Sequence, residues 1–512
     1  MMNLSRYFVT TPIFYVNAAP HIGHVYSAVL ADALHRWHKL KHPADATVFS
    51  TGTDEHGLKI QQAAAASNQS PGDFCAANRD KFQQAFRAAN IEYTHFVSTS
   101  ATAHRERVQH AWRCLQERGL LRKGVYAGWY CTSDETFLTE SQLRPHTFSD
   151  GSSGFVSIES GHRVHWMEED NYLFPLAQFQ DDLKKWIATG PITPPLFNGI
   201  VEQWLQERQL PELSVSRSSA RLKWGIDVPD DPQQKIYVWL DALLNYLTVI
   251  GYPGDQQRWR AFWPADVQVI GKDILKFHAI YWPAFLLALG LQPPRRILCH
   301  SHWLVDHQKM SKSLGNVVDP NDCLRRFTVD GFRYFLLREG VPHSDNNYSE
   351  EKVISYLNTE LANTLGNLLN RCTSTSVNRK QTFPAPPPDA ALTDADRTLL
   401  TDIHALPQTV AEHFEAFHIY KAIDAVMHTL REVNAYVQDT APWTLAKSGV
   451  EGDQDRLEVM LFVALEALRV AGVLLGPVTP GLGETVLGKL GCGGTRLEVD
   501  GGGCGLVGGR GR

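Results

Sequence analysis

The chain has 512 residues, 43% hydrophobic and 20% charged, with a net charge of −6 from 49 basic and 55 acidic side chains. At roughly 150 residues per domain, that length holds about three or four domains with cores of useful size. No uncharged apolar run reaches the roughly 18 residues of a membrane-spanning helix, so no membrane partner is expected. The mildly acidic balance speaks against a general polyanion binder with a strongly basic surface.

The eight cysteines, at 75, 114, 131, 299, 323, 372, 492 and 504, form no C-x-x-C pair. Neither a zinc ribbon nor a disulfide framework is expected, and reduced thiols are the default. Residues 1–6 are too few and too polar for a secretory signal. The presequence of an imported protein would lie outside this chain.

Residues 7–16, YFVTTPIFYV, are β-branched and aromatic and predict a buried strand. Asn17 to Pro20 break it, and His21 opens a stretch with apolar residues at helical spacing. A second strand is predicted over 47–50, and helices over 73–90 and 102–118. This alternation is the pattern of a parallel α/β sheet. From 123 to about 224 the rhythm is lost among Gly-Ser turns and a Pro cluster, which predicts an α+β insertion. Residues 235–240 (KIYVWL), 267–270 and 296–299 predict a return of buried strands. An almost wholly helical half begins at 353, interrupted by the PAPPP segment 384–388, and the chain closes on a Gly-rich tail.

Two short segments carry chemistry. Pro20-His21-Ile22-Gly23-His24 lies between a strand and a helix N-terminus. Free N–H groups and the helix dipole attract phosphate there, and two imidazoles can add donors to a phosphate whose charge is redistributing. Gly23 lets a flat base lie against the backbone. Lys309-Met310-Ser311-Lys312-Ser313-Leu314-Gly315-Asn316 puts two lysines and two hydroxyls on one loop, which suits a triphosphate tail. Either segment alone is compatible with surface histidines or a solvated basic loop. Their joint occurrence, in this order and at opposite ends of an interrupted α/β region, is not.

The pair resembles the HIGH and KMSKS signatures of the class I aminoacyl-tRNA synthetases, and both are present letter for letter. Within that class, PIFYVN at 12–17, TGTDEHG at 51–57, YVWLDA at 237–242 and GKDILKFH at 271–278 resemble the methionyl-tRNA synthetases, with wording close to the animal mitochondrial form. The likeness runs from about residue 7 to 490.

The resemblance implies a Rossmann-like parallel-sheet catalytic domain with an α+β insertion, followed by an all-α anticodon-binding bundle. The division it implies is 1–122 and 225–320 for the catalytic domain, 123–224 for the insertion, 321–352 for a linking stem and 353–490 for the bundle; the Gly-rich 491–512, outside the likeness, is expected to be a tail without order. It also implies ATP-dependent activation of L-methionine, with Mg2+ accompanying ATP, and transfer of the methionyl group to methionine tRNA. The implied setting is a monomer in the mitochondrial matrix, with the cytoplasm as the alternative.

Site residues carry over on matched positions. ATP contacts are expected from His21, Gly23, His24, Gly271, Asp273, Lys309 and Lys312, with Asp227 at the ribose. His21, His24, Lys309 and Lys312 supply the catalytic charge. The methionine pocket is expected from Ile13, Tyr15, Asp54, Trp239, Ala242, Tyr246, Ile274 and His278, with Asp54 on the substrate ammonium. The residue chemistry agrees, since an unbranched polarizable thioether suits aromatic walls with one polar group. Trp239, Ala242 and Tyr246 share a face if a helix begins near Trp239, and Ile274 and His278 form an i, i+4 pair. Asn363, Asn367 and Arg371 lie on one helix stripe and, with Trp443, are expected to read anticodon bases.

Many relatives carry zinc knuckles in the insertion. Here one Cys, Cys131, remains, and Asp134 stands where a second would be. A closed structural zinc site needs four ligands, so no metal is expected and the insertion should be held by packing. The insertion is also too small for a large hydrolytic editing domain. Another nucleotidyl-transferring α/β enzyme, or a catalytically silent tRNA-binding protein, is the competing reading, and methionine-dependent ATP–pyrophosphate exchange separates them.

Overall fold

The structure is a computed structural model. It describes residues 5–132, 135–138, 140–148, 150–158, 160–207, 209–310 and 315–492, and the backbone of two short strands at 498–500 and 503–505. Ser133, Asp134 and Lys312 lie outside the described residues.

Six parallel strands form the central sheet, in the order His95–Ser98, Ala46–Asp54, Arg6–Tyr15, Val267–Gly271, Ile297–His300, Ile192–Thr193. The opening strand is buried along almost its whole length, because helices cover both faces and leave no solvated side. In the register Val9 lies between Phe49 and Val267. The pairing with Ala46–Asp54 shifts between Thr10 and Ile13. Such a bulge re-aims the end of a strand, and Ile13 and Tyr15, two residues apart, both face the cavity described below.

Two expectations change. The run 235–240 is not a strand of the parallel sheet. Asp231–Ile236 pairs antiparallel with Ser216–Ser218 and Asp227–Val228 in a separate three-stranded sheet, and Tyr237 caps the helix Val238–Leu243. A short apolar run cannot be divided between buried strand and buried helix by periodicity alone. The parallel sheet also takes a strand from inside the expected insertion, where Ile192 pairs with Ile297 and Thr193 with Leu298.

The remainder of the insertion is antiparallel. Arg122–Cys131 runs beside Arg163–Phe174 from Arg122 opposite Leu173 to Tyr130 opposite His165. Cys131, Leu138 and Val164 form its small buried core, with Trp129, Leu143 and Phe155 packed around it. Among the described residues no group of three or more His, Cys, Asp or Glu is arranged to hold a metal ion.

The helical half packs Asp394–Glu415, Ile419–Thr440, Asp453–Leu475 and Pro480–Lys489 around a core that includes Ile403, Met427 and Met460. That core is continuous with the one under the helix Ile22–Lys41, and Trp37 stacks on Phe414 at 4.4 Å and 12°.

Candidate active site

The carboxyl ends of Arg6–Tyr15 and Val267–Gly271 lie side by side at the middle of the sheet, where open α/β sheets bind ligands. The helix Ile22–Lys41 begins there, with His21 as its N-cap. The His21 Nδ1 accepts from the Gly23 N–H at 3.1 Å, and the His24 Nδ1 accepts from the His21 N–H at 3.0 Å. The two imidazoles thus form a reciprocal capping box, their rings 3.8 Å apart. Burial pushes His21 down to about 4 and His24 well below the usual histidine range. A neutral imidazole whose Nδ1 accepts carries its proton on Nε2. Both side chains are therefore fixed as Nε2–H donors.

This arrangement corrects the expected source of the donors. The Ile22 N–H is taken by the Val318 carbonyl at 3.3 Å, and those of His21 and Gly23 by the imidazoles. The backbone at this helix start is already satisfied, so the imidazole Nε2–H groups stand in for it. Gly23 is required for packing as well. A Cβ there would lie 2.9 Å from His21 Cε1.

The loop that follows the strand Ile297–His300 returns to the same place. The Met310 methyl lies 3.9 Å from where a Gly23 Cβ would stand, and Lys309 lines the same cavity. His300 locks the two elements together. Its Nδ1–H donates to the Ser301 carbonyl at 2.9 Å, so its Nε2 accepts from the Ser27 hydroxyl at 2.7 Å. Gly271 and Asp273 lie opposite, with His302 Nε2 3.5 Å from Asp273 Oδ1. Asp227 is not brought to the cavity. It lies on the small antiparallel sheet, directly across from Lys235, and its carboxylate is ion-paired to that lysine in solvent.

The same cavity contains an apolar slot. Trp239 stacks on Phe277 at 3.7 Å and 8°, and Ala242, Ile274 and Ile13 fill the remaining sides. His278 Nδ1–H donates to the Ile274 carbonyl at 3.0 Å, which leaves Nε2 to accept from the Tyr246 hydroxyl at 2.7 Å. Burial lowers His278 to about 4, so this pair is neutral. A π-helical turn over Phe277–Tyr281 puts Phe277 and His278 on the same wall.

At the slot's acidic corner Asp54 is 8% exposed, and its Oδ1 has no hydrogen-bond partner. Burial first, then the charges of Asp241 and Glu135, push its carboxyl well above the usual range. Asp241 is itself held by two imidazoles, His56 Nδ1 at 2.6 Å and His104 Nε2 at 2.8 Å. Asp54, the His21–His24 pair, Lys309 and the Trp239–Phe277 wall line one cavity of about 1510 Å³. It brings together imidazole donors, a lysine, aromatic walls and an orphan carboxylate oxygen. That oxygen suits a cationic donor.

Residues 7–373 match the family of tRNA synthetases class I (M), and residues 386–500 match the anticodon binding domain of methionyl tRNA ligase. The chain belongs to the class I methionyl-tRNA synthetase family. It is 54% identical over 502 residues to the mitochondrial methionine–tRNA ligase of Homo sapiens, covering 95% of this chain and 84% of that protein. It is 48% identical over 485 residues to the mitochondrial enzyme of Xenopus laevis, covering 94% and 85%. The Mycobacterium tuberculosis methionyl-tRNA synthetase, solved in complex with methionyl-adenylate, superposes with a TM-score of 0.89 at 39% identity, over 94% of this chain and 93% of that one. The activity is that of an ATP-dependent methionine–tRNA ligase.

In this synthetase the four residues expected at the anticodon are paired two by two. Asn367 Nδ2 lies 3.4 Å from Asn363 Oδ1, and the Arg371 guanidinium lies over the Trp443 ring at 5.3 Å. Sequence reasoning missed Phe277, Ser27, His300, His302 and Glu135. For His300 and His302 a signal was present, two histidines in HSHW just ahead of the basic loop. The stack of Phe277 on Trp239 had none.

Proposed function

We propose that this one cavity carries out both steps of methionine activation and transfer. In the first, the methionine carboxylate attacks the α-phosphorus of MgATP in line, and the bond to pyrophosphate breaks. The enzyme needs no side-chain nucleophile for this. It positions the two reactants and stabilises charge. His21 and His24 donate through Nε2–H, and Lys309, with Lys312 from the same loop, follows the departing pyrophosphate. Gly23, Gly271 and Asp273 bound the nucleotide site. Asp54 takes the substrate ammonium, while Ile13, Tyr15, Trp239, Ala242, Tyr246, Ile274 and His278 enclose the thioether. In the second step a ribose hydroxyl of the terminal adenosine of tRNA attacks the activated carbonyl, and AMP leaves. By family resemblance this is the 2′-OH.

The observation that carries the reading is the approach of Met310 to Gly23 in a cavity shared with the orphan Asp54 oxygen. Asn363, Asn367, Arg371 and Trp443 form the anticodon-facing patch, supported by their mutual contacts. The insertion works without zinc. A monomer follows from the family resemblance alone, and the mitochondrial matrix is supported by the mitochondrial methionine–tRNA ligases of Homo sapiens and Xenopus laevis among its relatives. We keep the catalytic, insertion and bundle division expected above as the working organisation, with Ile192–Thr193 lent to the catalytic sheet.

The deciding experiment is ATP–pyrophosphate exchange with a panel of amino acids. Exchange is expected with methionine. An apolar pocket separates substrates one methylene apart by only about 10–200-fold, so weaker exchange is also expected with homocysteine and norleucine. No exchange with methionine would refute the reading.

A further inference from the structure

One of the insertion side chains that line the cavity is Glu135. It lies between the strands Arg122–Cys131 and Thr136–Leu138, in the left-handed region at φ +50, and is 6% exposed. Its Oε1 accepts from the Tyr15 hydroxyl at 2.8 Å and from the Lys59 N–H at 2.9 Å. Space for it is made by Gly57, at φ +114. A Cβ on Gly57 would lie 2.6 Å from both Glu135 Oε1 and Tyr15 Oη. Three segments distant in sequence therefore meet at one oxygen: the end of the opening strand, the turn that follows Asp54, and the insertion.

Burying a carboxylate is costly unless it does something the fold needs. Among the described residues no cation is ion-paired to Glu135. Near this turn the buried Arg217 guanidinium lies 4.3 Å over Tyr237 and 5.2 Å over Phe137, the residue two positions on from Glu135. Tyr15, Lys59, Asp54 and Glu135 all line the cavity.

We propose that Glu135 is a positioning residue for methionine: the insertion sets the shape of the amino-acid pocket by holding the Tyr15 ring and the turn after Asp54 through this carboxylate. The inference rests on the methionine-activating reading above. It gives the segment where relatives carry a zinc knuckle a role in the first step of the reaction, before tRNA arrives. Glu135 acts through Tyr15 and the backbone and does not touch the reacting atoms.

The test is methionine-dependent ATP–pyrophosphate exchange with the full chain, measuring KM for methionine, KM for ATP, kcat and the thermal midpoint. Glu135→Ala is expected to raise KM for methionine about ten-fold or more, from the loss of a buried acceptor shared by two donors. KM for ATP should stay unchanged. Glu135→Gln keeps the accepting oxygen and should restore KM for methionine to within about three-fold of the parent. Tyr15→Phe combined with Glu135→Ala should be little worse than Glu135→Ala alone, since both remove one contact. An unchanged KM for methionine in Glu135→Ala, an equal rise in KM for ATP, additive effects in the double variant, or a failure of Glu135→Gln to rescue would each overturn the proposal. Absence of exchange in the parent chain would instead refute the function itself.

Discussion

Arg333 and Asp32 form an ion pair at 2.7 Å with both side chains fully buried. Asp32 lies on the helix that His21 caps, and Arg333 on the helix Val329–Glu339. The remaining guanidinium donors are also used. Nε donates to the Val478 carbonyl, Nη2 to Pro477, and Nη1 to Ala89 and Asn90. All five donors of the fork are thereby satisfied. One guanidinium joins the helix that His21 caps, the turn after the helix Pro71–Ala88, and the turn between the helices Asp453–Leu475 and Pro480–Lys489. This is a rigid path along which the two halves of the chain can be held in register.

Arg333→Leu should therefore be among the most damaging single changes. It takes the guanidinium donor from the Val478, Pro477 and Ala89 carbonyls, while Asn90 keeps Arg36, and it leaves Asp32 with only Arg36 as a cationic partner. Breaking a buried pair in this way costs about 3–5 kcal/mol. Arg333→Lys supplies three donors in place of five and should fall between the two. Denaturant titration of the three proteins checks the order. Equal stability for Arg333→Leu and the parent would show that the cluster is not structural.

The histidine capping box separates stability from rate. His21→Ala removes both the cap and the Nε2–H donor. It should cost about 1 kcal/mol of stability and about 10²-fold or more in exchange kcat. Asn is as good an N-cap as any residue but cannot reach with an imidazole Nε2–H. His21→Asn should therefore melt like the parent while remaining as slow as His21→Ala. If His21→Asn retained parental kcat, the donor would have to come from elsewhere at the helix start.

Much of this site was legible in the residues. A strand, a break and a helix opening on His21-Ile22-Gly23-His24 placed the imidazole pair, and the spacing of Trp239, Ala242 and Tyr246 put three cavity-lining residues near one another. What could not be read depends on partners far apart in sequence. Asp227 was placed by likeness alone, and a lysine on the neighbouring strand draws it away. The run at 235–240 is apolar enough for either a strand or a helix, and packing decided for the helix from Val238 onward. Nothing near Arg333 or Glu135 in the chain announces carbonyls at 477 and 478 or a hydroxyl at 15.

Acid should unfold the protein through its buried imidazoles. Burial lowers His21, His35, His278 and His300 to about 4 each, against 6.5 when unfolded. Between those values the unfolded chain binds more protons than the folded one. Stability is therefore full above pH 6.5 and falls as pH drops toward 4, by up to about 1.4 kcal/mol per pH unit for each such group. The thermal midpoint measured from pH 7.5 to 4.5 should decline steeply below 6.5. A level midpoint down to pH 5 would contradict neutral buried imidazoles.

The hydrogen bond from Tyr246 to His278 should matter for methionine and not for ATP. Tyr246→Phe leaves the His278 Nε2 buried without a donor, a loss of about 1–3 kcal/mol. Because His278 lines the thioether slot, KM for methionine should rise about ten-fold while KM for ATP holds. Steady-state exchange with each substrate varied in turn makes the distinction. Equal effects on both would mean that the pair supports the whole cavity and not its apolar end.

Trp443 offers the complementary dissection at the other end of the molecule. Its ring is 36% exposed and carries the Arg371 guanidinium on one face, with Arg371 Nη2 donating to Gln438 at 3.2 Å. A half-open indole stiffened by a cation is a ready platform for an unstacked base, worth about 1–3 kcal/mol. Trp443→Ala should therefore reduce kcat/KM for charging methionine tRNA by roughly 5- to 150-fold, with ATP–pyrophosphate exchange unaffected. Arg371→Lys keeps the charge but loses the planar stack and should produce a smaller loss of the same kind. If Trp443→Ala charged tRNA as well as the parent, the patch of Asn363, Asn367, Arg371 and Trp443 would not be where the anticodon is read.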